Sequence, residues 1–213
     1  MDATSGAELH APEAKRRAVR PRDAASLLVW RHGANGVEVL MGMRGAKHRF
    51  MPNRLVFPGG AVETADRRAP FATPLTPQTR MLLERAAKPR LAHALAIAAA
   101  RELEEETGLS LGRPPHLDGL AYLCRAVTPP GGPIRFNARF LAVAAERISG
   151  TLAGSGELEN LRYYPLEEAL AFDLVMITRR ALGYLREWLA MSASERLDRH
   201  QVPVCKLREW GME

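Results

Sequence analysis

The chain has few cysteines, few aromatic side chains and no long apolar run. It holds only two cysteines, Cys124 and Cys205, far apart and neither in a CxxC pattern. That argues against a disulfide framework or a thiolate metal site, and predicts two buried thiols. The histidines His48, His93 and His116 lack HxxH-type spacing, so no transition-metal site is expected. Aromatics make up 6% of the residues and are not interleaved with the basic ones, so no stacking platform for bases is expected. No stretch approaches the roughly 20 apolar residues that span a bilayer, and no apolar signal core opens the chain. These absences predict a cytoplasmic protein without a membrane partner.

What remains is ordinary for a globular domain: 213 residues, 46% hydrophobic and 25% charged. The net charge is +6, and much of the excess lies in Lys15, Arg16, Arg17, Arg20 and Arg22. Residues 1–22 are therefore expected to be a basic tail, with one domain over 23–213. A positive field of this kind attracts small phosphorylated substrates as well as nucleic acid, which makes nucleic acid the weaker reading.

The segments are mixed. Ala24–Arg31 is a short apolar run and Val37–Arg44 alternates, with Asn35-Gly36 between them as a hairpin signal. A strand over Phe50–Gly60 is expected to end in Pro58-Gly-Gly60. Helices are expected over Pro77–Lys88 and Leu91–Thr107, the second stopped by Gly108. Strands over Leu117–Val127, Ile134–Ala145 and Glu159–Tyr164 follow, then a short helix at Leu166–Phe172 and an amphipathic one at Ile177–Leu189. The last could close the core or contribute to a homodimer. Without a regular βαβ rhythm, the order predicts an α+β fold. Trp30, Phe50 and Phe57 are expected in the core.

The informative string is Arg101-Glu-Leu-Glu-Glu-Glu-Thr-Gly-Leu109. On a helix, Glu102, Glu105 and Glu106 share one face, while Leu95, Ala99 and Leu103 share another that can bury against a sheet. Like charges so placed repel, which calls for a compensating cation. Mg²⁺, with Mn²⁺ as substitute, is the hard ion that few carboxylates plus substrate phosphates hold. The planar fork of Arg101 can hold a carboxylate in place. Upstream, the turn at Gly59 and Gly60 exposes backbone groups, and the Gly59 carbonyl is a further candidate ligand.

This string, with Gly60 upstream, resembles the box of the Nudix hydrolases. The resemblance implies an α/β/α sandwich with a mixed central sheet and cleavage of a diphosphate bond in a nucleoside diphosphate derivative. It implies Glu102, Glu105 and Glu106 as metal ligands, with Arg101 and Gly60 in the site. Two features depart from the family box. From Gly60 to Leu109 the chain takes 50 residues where the box takes 23, so a helical insertion is expected at about 67–93. Counted from Gly60, Asp66 stands where the box has its upstream glutamate; counted back from Arg101, His93 does. Together with Phe50–Gly60, Ala65-Asp66-Arg67 and Arg135–Phe140, the interruption resembles the branch that includes peroxisomal coenzyme A diphosphatases. Coenzyme A or an acyl-coenzyme A is the substrate so implied; ADP-ribose or a nucleotide sugar is the alternative, and a nucleotide-binding module without catalysis is another. Glu157, ahead of Glu159, is the candidate general base, and Arg44 with the following loop to Arg49 the candidate phosphate contact.

Overall fold

The computed structural model describes residues 19–45 and 52–213. The basic residues Lys15, Arg16 and Arg17, most of the expected tail, the loop from Ala46 to Arg49, and Phe50 lie outside the described residues. The strands β1 (Arg22–Gly33) and β2 (Gly36–Arg44) form the expected hairpin around a turn at Ala34–Asn35, with Gly36 at a φ of 112°. The expected strand at Phe50–Gly60 is instead two short pieces, β3 (Leu55–Val56) and β4 (Gly59–Ala61). The hairpin explains them. β1 and β2 pair from Trp30↔Val39 to Gly33↔Gly36 and then diverge. β4 takes the freed edge of β1 at Ala24–Ser26, and β3 the freed edge of β2 at Gly42–Met43. Pro58 and the two glycines are thereby held inside a split in the sheet.

Beyond α1 (Pro77–Glu84) and α2 (Pro89–Thr107) come β5 (Leu109–Ser110), β6 (Ala121–Val127), β7 (Phe136–Ala144), β8 (Ser149–Gly150) and β9 (Leu158–Pro165). The chain ends with α3 (Leu166–Ala171), α4 (Met176–Ala190), α5 (Ala193–Leu197), β10 (Pro203–Lys206) and β11 (Glu209–Met212). The main sheet runs β11-β10-β6-β7-β1-β2-β3, with β4 beside β1 and β9 beside β2. It is mixed: β1 lies parallel to β7 and β10 parallel to β6, and the other pairs are antiparallel. Pro89 begins α2 rather than standing outside it, and Gly108, at a φ of 72°, ends it in the left-handed conformation that glycine adopts at least cost.

Alternation along the strands makes two cores. Ala25, Leu27 and Val29 of β1 pack with Leu141 and Val143 of β7 against Leu95, Ala99 and Leu103 of α2. Leu28, Phe140 and Ala142 point the other way, against Ala181, Leu182 and Leu185 of α4. The sheet is thus covered on both faces, an α/β/α arrangement, which is why β1 reads as a continuous apolar run. Phe57 belongs to the second core and Trp30 packs at its margin. The buried apolar side of α4 serves this core. Both cysteines are free and buried. Arg139, 1% exposed, pairs with Asp23 at 2.6 Å and donates to the Ala86 carbonyl at 3.1 Å, tying the α1–α2 junction to the sheet.

Candidate active site

The acid face of α2 lies over the split between β1 and β2. Arg101 is its hub. Its Nε donates to Asp66 Oδ1 at 3.1 Å, and its Nη2 to Asp66 Oδ2 at 3.3 Å and the Ala61 carbonyl at 3.0 Å. Its Nη1 donates to Glu102 Oε1 at 2.8 Å and Glu105 Oε2 at 2.9 Å. Burial alone would discourage the charge on Arg101, but the hydrogen bonds it donates to Asp66 and Glu102 outweigh it and raise its pKa. Asp66 is 2% exposed and sits in a 3-10 turn, Ala65–Arg67, where it also accepts the Glu63 N–H at 2.7 Å. This buried pair joins β4, the turn and the helix into one frame. Its Arg101 end was anticipated; Asp66 had no assigned role, although its place at the box glutamate was the available signal.

Glu106, 3% exposed, accepts the Gly59 N–H at 2.9 Å. Burial pushes its carboxyl up to about 7, against the lowering effects of that N–H and of Arg44. Glu102 is also raised, chiefly by burial and despite Arg101. Both are raised further by the charge of Glu157. Glu157 lies on an exposed loop pinned to the end of α2: the Ala153 and Ser155 N–H groups donate to the carbonyls of Thr107 and Glu106. Glu159 instead pairs with Met43 along β2. Close approach requires the glycine at 59, and at 60 it leaves room for a carboxylate. A Cβ on Gly60 would overlap the Glu102 carboxylate, and one on Gly59 would fall 2.6 Å from Ser26 Cα.

Two expectations change. Glu102 and Glu105 turn toward Arg101 while Glu106 turns toward Gly59, so among the described residues no three ligating side chains gather about a point. The guanidinium supplies part of the compensation that the like charges require. And it is the Gly59 N–H, not its carbonyl, that is engaged with the acid face. Arg44 ends β2 as expected; among the described residues it forms no ion pair, and its Nε is buried without a hydrogen-bond partner. Arg44, Gly59 and Gly60 line a cavity of about 350 Å³ whose walls include Val56, Phe57, Phe140 and Ile177. His93 donates to or accepts from nothing in this site; its Nε2 lies 3.0 Å from the Ala69 carbonyl.

A family model described as the NUDIX domain matches residues 89–185. Among solved structures, a NUDIX hydrolase from Alicyclobacillus acidocaldarius is 26% identical, covering 84% of this chain and 96% of its own, at a TM-score of 0.63. A MutT NUDIX hydrolase from Burkholderia pseudomallei is 22% identical, covering 78% and 99%, at 0.51. The NUDIX domain of Shewanella oneidensis NrtR, described in complex with ADP ribose, is 15% identical, covering 85% and 94%, at 0.51. No curated protein matches the chain. The chain thus shares its fold with these NUDIX structures, and its segment 89–185 matches the NUDIX domain model.

Proposed function

We propose that the protein hydrolyses the diphosphate bond of a nucleoside diphosphate derivative in a Mg²⁺-dependent reaction, with coenzyme A or an acyl-coenzyme A as preferred substrate. The observation that carries this reading is the junction at Gly59 and Gly60. On one side stands the acid face of α2; on the other, the apolar-walled cavity. A diphosphate with an extended, partly apolar arm suits that junction.

The residue types suit a hard divalent cation, although here Glu102 and Glu105 turn toward Arg101 and Glu106 toward Gly59. Asp66, Glu102, Glu105, Glu106 and Glu157 outnumber the arginines Arg101 and Arg44, and burial raises the pKa of Glu102 and Glu106, so that a nearby cation would favour their ionised forms. Glu102, Glu105 and Glu106 would hold the ion, with the Gly59 carbonyl as an additional donor. When bound, the ion neutralises the diphosphate and activates water. Arg101 keeps Glu102 and Glu105 in place, Arg44 contacts a phosphate, and Glu157 takes a proton from water. A module that only binds nucleotide would not need so many carboxylates in one place.

The branch assignment is a further part of this proposal, read from the spacing of the sequence motif. The family match begins at residue 89, whereas Gly60 and Asp66, which meet Glu102 and Arg101, precede it. On this proposal the box is interrupted at about 67–93, the stretch that contains α1. We further take residues 23–213 as one domain preceded by the 1–22 tail; β1 begins at Arg22.

Coenzyme A, ADP-ribose, NADH and dinucleoside polyphosphates should be incubated with the protein and Mg²⁺. The expected outcome is release of adenosine 3′,5′-bisphosphate from coenzyme A at the highest kcat/KM, abolished by chelation and restored by Mg²⁺ or Mn²⁺. Faster cleavage of ADP-ribose, the ligand named for the Shewanella domain, would move the substrate assignment. Cleavage of none would favour the binding module.

A further inference from the structure

The C-terminal strands β10 and β11 are joined by a two-residue turn, Leu207–Arg208, closed by the pair Lys206↔Glu209. Both turn residues have positive φ, 52° and 70°. Asn-Gly is the pair that such a turn favours, and an L side chain there crowds the backbone. The side chains do not recover that cost locally. Leu207 is 70% exposed, and the Arg208 guanidinium makes no ion pair or hydrogen bond among the described residues. Its basic neighbours are engaged otherwise: Lys206 pairs with Glu213 at 3.0 Å, and Arg199 donates to the Tyr122 carbonyl at 3.0 Å. Strained backbone with an unpaired charge is a pattern of ligand-binding sites.

Arg208 lines the cavity described above, in whose lining Arg44, Gly59 and Gly60 also stand. The turn is fixed there by its backbone, because the Arg208 N–H donates to the Cys205 thiol and Cys205, nearly buried, lines the same cavity. The cavity therefore carries two arginines without ion pairs among the described residues. Arg44 faces Glu106 and the proposed diphosphate position; Arg208 comes from the far edge of the sheet, the β10–β11 hairpin. Between them the walls are apolar, and Arg208, itself exposed, can offer its planar fork to a phosphate at the cavity.

We propose that Arg208 is a substrate-binding residue that recognises a phosphomonoester carried by the substrate apart from its diphosphate. The inference rests on the cavity being the substrate site.

The test compares coenzyme A with 3′-dephospho-coenzyme A, which differ by one phosphomonoester. The wild-type protein is expected to prefer coenzyme A in kcat/KM by about 10- to 100-fold, the range for a charge-assisted hydrogen-bonded contact. Arg208→Ala is expected to bring that ratio near one, with the loss in KM. Arg208→Gly is expected to lose the preference equally while its Tm rises by about 2–4 °C as the left-handed position relaxes. A residue that only shaped the turn would give the Tm change without the change in preference. Calorimetric binding of adenosine 3′,5′-bisphosphate against 5′-AMP gives a readout independent of turnover. If neither coenzyme is hydrolysed but the bisphosphate binds more tightly, and only with Arg208 present, the hydrolase reading fails and the assignment of Arg208 stands. If coenzyme A is hydrolysed but the preference is absent, or survives in Arg208→Ala, the assignment is overturned and the hydrolase reading stands.

Discussion

The two faces of α2 are built from neighbouring residues under opposite rules. Leu95, Ala99 and Leu103 are fully buried among apolar partners on β1 and β7, where every contact favours the fold. Three residues beyond Leu103, Glu106 is nearly as buried, yet its carboxylate has one backbone N–H for company and a raised pKa. One face stabilises the fold; the other is held in an unfavourable state by it. An acid kept where it is poorly compensated is a mark of a functional site.

The comparison is broken most directly by Glu106→Gln. The amide oxygen can still accept the Gly59 N–H, while the buried anion is removed. Turnover is expected to fall by roughly two to four orders of magnitude, as for the loss of a carboxylate proposed to hold the catalytic ion. Thermal stability in metal-free buffer is expected to be equal to the wild type or higher, because no buried charge remains to be compensated. A variant that loses both activity and stability would show that Glu106 is structural.

A smaller effect is expected from Asp66→Asn. Asp66 does not face the carboxylate it influences; it holds Arg101, which in turn holds Glu102 and Glu105. Removing its charge leaves Arg101 to lean on the other two acids. Turnover is expected to drop by roughly 10- to 100-fold, as for partners that orient a ligand from behind. Restoration toward wild type by Asp66→Glu, but not by Asp66→Ala, would separate orientation from simple packing.

Much of this was legible along the chain, and the limits have physical causes. The acid face, the apolar face and the Gly108 stop of α2 follow from helical period and left-handed glycine, both local signals. So does Arg44 at the end of β2. The Arg101–Asp66 pair joins residues that a helix and a loop separate, and no local pattern announces it. The divided strand at Leu55–Ala61 comes from the divergence of β1 and β2, a tertiary event. The β10–β11 hairpin was missed because Leu207–Arg208 has none of the residues its turn conformation favours. That same mismatch is what draws attention to Arg208.

The least effect on chemistry, and a large one on stability, is expected at Leu103→Ala. Its side chain is fully buried between α2 and the sheet, next in sequence to Glu102 but on the opposite face. Truncation opens a cavity and is expected to cost about 2–5 kcal/mol of stability. The acid face is held by a different set of contacts: Arg101 to Asp66 and Ala61, and Glu106 to Gly59. Turnover per folded molecule should therefore stay near wild type while the denaturation midpoint falls. Active-site titration alongside urea unfolding would check both. A loss of turnover in step with that of Glu106→Gln, in molecules shown to be folded, would mean that the two faces of the helix are not separable and that packing of α2 itself sets the carboxylate geometry.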